Sequence, residues 1–96
     1  MNAAKGEKRN VFSLGKVHAT PTALERLSRE EITNALRQHA QGDWGEVDAH
    51  DLRANERALQ DGSRLFSVYL ATDGSKFWVI TEADRSLTTV LLPEDY

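Results

Sequence analysis

The residues best suited to chemistry in this chain are three histidines and a set of arginines, hydroxyls and carboxylates in its last third. Histidine titrates near neutrality, so it can act as a general base or a metal ligand. His18, His39 and His50 offer no pair at i, i+4, and there is no His-Glu-x-x-His, so no metal site is expected. His39 stands out because helical spacing puts it on one apolar face with Ile32, Ala35 and Leu36. It reads first as a buried imidazole hydrogen-bonded to backbone and second as a general base. Asp43 follows four residues later and could orient that imidazole, as carboxylates do in acid–base sites. The plainer reading of Asp43-Trp44-Gly45 is a tight loop, with Asp43 capping a turn and Trp44 plugging the core edge. Asn55 falls on the inward side of a helix, where a buried amide needs partners, so it is expected to tie down that loop or a strand edge.

Arg64, Ser67 and Tyr69 lie on or beside one strand-like segment, Arg85 clusters with Glu82 and Asp84 at a turn, and Thr88 follows it. Two arginines, a hydroxyl and a histidine on one sheet face would suit a phosphate, because guanidinium presents a fixed fork of donors. Glu82 and Asp84 are the carboxylates placed to pair with those arginines, as surface ion pairs worth about 0–1 kcal/mol. The candidate catalytic residues are therefore His39, Arg64, Arg85 and Thr88. The candidate binding residues are Asp43, Trp44, Asn55, Glu82 and Asp84. The six glycines are dispersed and no G-x-S-x-G occurs, so no phosphate loop, nucleophile elbow or cofactor is expected.

The elements that must position these groups follow from caps and periodicity. Val11, Phe12, Leu14 and Val17 form a weak strand interrupted by Gly15. Thr20-Pro21 starts a short helix, with Thr20 as N-cap. Ser28-Arg29-Glu30-Glu31 is a capping box that opens a second helix, and Gly42 stops it. Asp48 caps a third helix, on which Leu52, Asn55 and Leu59 share a face, and Asp61-Gly62 ends it. Three strands follow: Arg64 to Ala71, Lys76 to Glu82 and Leu87 to Leu92, joined by turns at Thr72–Ser75 and Ala83–Ser86. Phe77 and Val79 point to one face, Trp78 and Ile80 to the other, so one face should lie under the helices and the other stay partly open to a partner. The expected fold is α+β: a weak N-terminal strand, then two or three helices packed on a three-stranded antiparallel meander.

Length and charge narrow the classes. Ninety-six residues make room for one domain, read as a disordered basic arm over 1–9 and a folded unit over 10–96. There is no cysteine, no secretory signal and no membrane-length apolar run, so the expectation is a cytoplasmic protein with no membrane partner. Residues 1–29 carry six basic and two acidic side chains, a net +4, whereas residues 30–96 carry six and thirteen, a net −7. An acidic body argues against a general nucleic-acid binder, which normally shows a basic face.

At Gly42-Asp43-Trp44-Gly45, Asn55, Gly62-Ser63-Arg64-Leu65-Phe66-Ser67-Val68-Tyr69 and Trp78 to Pro93, the chain resembles a family of small bacterial proteins with no assigned activity. The family's genes are common on plasmids and other mobile elements, and the resemblance runs over about residues 15–96. In order of elements alone the chain also resembles the RelE-type toxins and barnase-like ribonucleases, which cleave RNA at the 2′-hydroxyl. That layout implies His39, Arg64, Arg85, Thr88 and Tyr96 as catalytic candidates, although those toxins are basic and this chain is acidic. Three functions are thus in play, in this order: a protein-interaction module that binds a partner or its own copy; a metal-independent ribonuclease or toxin-like enzyme; and non-catalytic nucleic-acid binding through the basic arm.

Overall fold

A computed structural model describes residues 9–96. The expected disordered arm therefore lies outside the described residues except for Arg9. The order is β1 (Lys16–Ala19), α1 (Pro21–Arg26), α2 (Arg29–Ala40), α3 (Ala49–Asp61), β2 (Leu65–Leu70), β3 (Lys76–Thr81), β4 (Leu87–Leu91) and a 3-10 turn, Pro93–Asp95. The fold is α+β.

Local chemistry accounts for the helix starts. The Thr20 hydroxyl accepts the Ala23 N–H, with Pro21 in the first helical position. Ser28 accepts the Glu31 N–H at 3.0 Å, and Glu31 returns a bond from the Ser28 N–H at 2.8 Å. Asp48 caps α3 through the Asp51 N–H, and Gly62 closes that helix in the left-handed conformation. On α3 the expected inward stripe shifts. Asn55 and Ala58 are buried, but Leu52 and Leu59 remain 40% and 39% exposed. The helix leans on the edge of β2 rather than lying across a face, so its buried stripe is narrow.

The sheet has the order β1-β4-β3-β2. β2, β3 and β4 form the expected antiparallel meander, but β1 extends it as a fourth strand, parallel to β4. The sheet is therefore mixed rather than purely antiparallel. β1 starts only at Lys16, and the weak strand's earlier residues leave the sheet: the Val11 N–H bonds the Ala40 carbonyl, and Phe12 packs beside Trp44. Gly15 makes the join. Its φ is +65°, and a Cβ there would collide with the backbone of Arg85 and Ser86.

One face of the sheet presents Tyr69, Phe77, Val79 and Val90 to α1 and α2, where Ala23, Leu27 and Ala35 complete the core. A second cluster, Trp44, Ala58 and Leu65, fills the space under α3. The opposite face carries Phe66, Trp78, Ile80, Thr89 and Leu91, as strand alternation requires.

Three turns share one device. In Asp61-Gly62-Ser63, Asp73-Gly74-Ser75 and Asp84-Arg85-Ser86, the aspartate Oδ1 accepts both the N–H and the hydroxyl of the serine two residues on. The central residue is left-handed each time, with φ 79°, 88° and 63°. Arg85 is the only non-glycine among the described residues to adopt it.

Candidate functional site

His39 is brought into the core by α2 and is fully buried. Its Nδ1 lies 2.6 Å from Ser67 Oγ and its Nε2 2.9 Å from Thr81 Oγ1. Thr81 Oγ1 is 2.7 Å from Thr88 Oγ1, and Thr88 donates to the Leu14 carbonyl at 2.7 Å. That last bond orients the whole chain. Thr88 has one proton and spends it on Leu14, so Thr81 must donate to Thr88. Thr81 then has none left, so His39 Nε2 must carry the proton and donate to Thr81. The neutral ring accepts at Nδ1, from Ser67. Burial, helped by the charge of Arg85, pushes the imidazole down to about 3. Phe12 and Trp44 meet the ring edge-on at 5.2 and 5.5 Å. The expected backbone partners of His39 are instead three strand hydroxyls, two of them bonded directly and one through Thr81.

The other candidates have specific places. Asp43 does not reach His39, whose two nitrogens are already taken. Its carboxylate accepts from Gln38 Nε2 and the Gly45 N–H, and its carbonyl accepts the Tyr69 hydroxyl at 2.6 Å. Burial raises the Tyr69 phenol well above its ordinary value. Trp44 is buried between Phe12 and His39. Asn55 ties down a strand edge, as one of its two expected uses: Nδ2 donates to the Phe66 carbonyl at 2.7 Å, and Oδ1 accepts the Phe66 N–H at 3.0 Å. Asp84 is held in its turn by Ser86.

Arg85 spends its guanidinium on backbone. It donates to the carbonyls of Ser63, Glu82, Ala83 and Ala58, at 2.6, 3.1, 3.2 and 2.9 Å. It thus ties the β3–β4 turn to the end of α3, with its charge 5.8 Å from the Phe12 ring. Thr88 is fully buried on the helix-covered face, like His39. His39, Thr88, Arg85 and Arg64 therefore do not share one accessible surface. Asp48, His50 and Asp51 bring one ligand atom each within 4.8 Å of one another at the exposed start of α3, but the Asp48 carboxylate is already the cap of that helix.

Arg64 belongs to the open face. Its guanidinium donates to the Tyr96 hydroxyl and to Glu82, both at 3.3 Å. Tyr96 reaches back over the sheet and meets Trp78 edge-on at 5.7 Å, and Trp78 meets Phe66 edge-on at 5.2 Å. The register explains the row: Ile80 stands opposite Phe66 and Thr89, and Trp78 opposite Val68 and Leu91. Between the rings lies a cavity of about 310 Å³ lined by Asp51, Arg64, Phe66, Trp78, Ile80 and Tyr96. Tyr96 is 75% exposed and Trp78 and Phe66 are half-buried. Of the candidate residues, Arg64, Tyr96 and Glu82 take part here. Phe66 was not among the candidates, although strand alternation across the hairpin would have placed it beside Trp78.

No family model, curated protein or solved structure matches the chain. Among the described residues, no helix is long and apolar enough to cross a membrane.

Proposed function

We propose that this protein is an interaction module that docks a protein partner on the open face of its sheet. One observation carries the reading: the row Phe66–Trp78–Tyr96 walls an apolar cavity on the sheet face opposite α1 and α2. Half-buried aromatic rings around a pocket are the usual anchors of protein interfaces, because they bury large area at little rotamer cost. Arg64 and Glu82 supply a polar rim to that apolar centre. Ribonuclease chemistry has less to build on, since a fully buried neutral imidazole with both nitrogens engaged offers no contact to a substrate.

Photocrosslinking in cells tests the reading. A crosslinking amino acid at position 78 should trap one discrete protein, and the same group at Gln60 on the exposed side of α3 should not. Phe66→Ala should weaken the capture at position 78. RNA cleavage by the purified protein that survives chelator and vanishes in His39→Gln would overturn the reading in favour of the enzyme.

A further inference from the structure

The two edges of the sheet are finished differently. At β2 the outward backbone groups of Phe66 and Val68 are occupied. Asn55 takes the N–H and carbonyl of Phe66, and the loop beside it takes those of Val68, through the Trp44 carbonyl at 3.1 Å and the Glu46 N–H at 2.7 Å. Gly45 allows that approach, because any Cβ there would strike the Val68 carbonyl. This is a protected edge.

β1 at the other edge has no such cover among the described residues. The Lys16 and Thr20 N–H groups bond to the Ser86 and Val90 carbonyls, so alternation turns the backbone of Val17 and Ala19 outward. Lys16, Val17 and His18 are exposed. Lys16 and His18 stand opposite Leu87 and Thr89 and so share the open face, about 7 Å apart at two-residue spacing. Neither makes an ion pair among the described residues. On the helix side of the edge, Val17 remains 44% exposed.

We propose that β1 is a strand-addition site for an extended segment of a partner protein whose acidic side chains alternate with apolar ones. Its backbone would pair with Val17 and Ala19, its acids would meet Lys16 and His18, and its apolar side chains would cover Val17. Charge complementarity selects this occupant. β1 carries Lys16 and no carboxylate, and in sequence it belongs to the net +4 stretch of an otherwise acidic chain, so acidic side chains suit this edge. The two-residue spacing of Lys16 and His18 matches the period of a strand. A second copy fits less well, because antiparallel self-pairing about Val17 sets each Lys16 opposite a His18 and brings no carboxylate to the edge. A nucleic acid has no amide ladder for Val17 and Ala19. The site is separate from the aromatic row, so it can fail or stand without it.

The test is fluorescence anisotropy with a labelled eight-residue peptide of alternating Glu and Val. Saturable binding is expected, weakening with salt, with Kd raised about tenfold or more by Lys16→Glu. Val17→Pro removes an outward N–H and the exposed valine side chain but no bond to β4, which edge strands tolerate, so it should abolish binding while circular dichroism and Tm stay nearly unchanged. Methylating alternate amides of the peptide should also abolish binding, without touching the protein. Trp78→Ala should leave Kd unchanged. The proposal is overturned if the peptide shows no saturable binding, or if the methylated peptide binds equally well. It is also overturned if oligothymidylate binds more tightly, or if sedimentation shows a dimer that Val17→Pro disperses.

Discussion

A neutral imidazole has one proton for two nitrogens, and around His39 the strand hydroxyls decide where it sits. The folded ring titrates at about 3 against 6.5 when free, so the unfolded chain binds the extra proton first. Stability from this group is therefore complete above pH 6.5 and is lost as pH falls from there toward 3. Between pH 6 and 4 the loss should be roughly 2–3 kcal/mol. His39→Gln keeps a donor and an acceptor but cannot titrate. Urea unfolding of that variant should show a flatter stability profile between pH 6.5 and 5, above the range where carboxylates protonate, and an unchanged slope would refute the buried neutral ring. Arg85 poses a different trade. Its left-handed backbone costs about 1 kcal/mol, held by four bonds to carbonyls. Arg85→Ala keeps the strain and loses the bonds, so it should destabilise by about 2–3 kcal/mol. Arg85→Gly loses the bonds but also the strain, so it should cost about 1 kcal/mol less than alanine. Alanine more stable than glycine at this position would contradict the turn described.

At the scale of elements, Asn55 replaces a neighbouring strand by holding both backbone groups of Phe66. Asn55→Ala should cost about 2–3 kcal/mol and free part of the β2 edge, so association that grows with concentration should appear in light scattering. If that variant is as stable and as monodisperse as the parent, Asn55 does not guard the edge. The amide's role was legible in the sequence because a polar residue on an inward helical stripe must find partners. The caps were legible for a related reason: Thr20, Ser28 with Glu31, and Asp48 bond to backbone only three residues away. β1 was harder. Its partner β4 lies some seventy residues on, and no local pattern announces a parallel pairing. The tilt of α3 was hidden as well, because Leu52 and Leu59 keep helical spacing whether the helix crosses a face or leans on an edge. The contact between Arg64 and Tyr96 spans 32 residues and depends on how the chain returns over the sheet after β4.

Across the whole molecule, one sheet separates two unlike environments, and the two tryptophans sit in them. Trp44 is 4% exposed in the cluster under α3, against Phe12 and His39. Trp78 stands half-buried in the aromatic row on the open face. The hydrophobic effect explains the first placement fully and the second only in part, since a monomer gains nothing from leaving rings about a cavity in water. The difference is measurable with single-tryptophan variants. Trp44→Phe leaves Trp78 as the only indole, and acrylamide should quench its emission several-fold more efficiently than that of Trp44 in the Trp78→Phe variant. Emission from Trp78 should also lie to the red, because its ring touches water. Occupation of the open face should blue-shift and protect Trp78, whereas a strand added at β1 should leave it nearly unchanged, because β4 stands between β1 and β3. Equal quenching of the two indoles in the isolated protein would mean that the face carrying Phe66, Trp78 and Tyr96 is covered, and the docking surface would have to lie elsewhere.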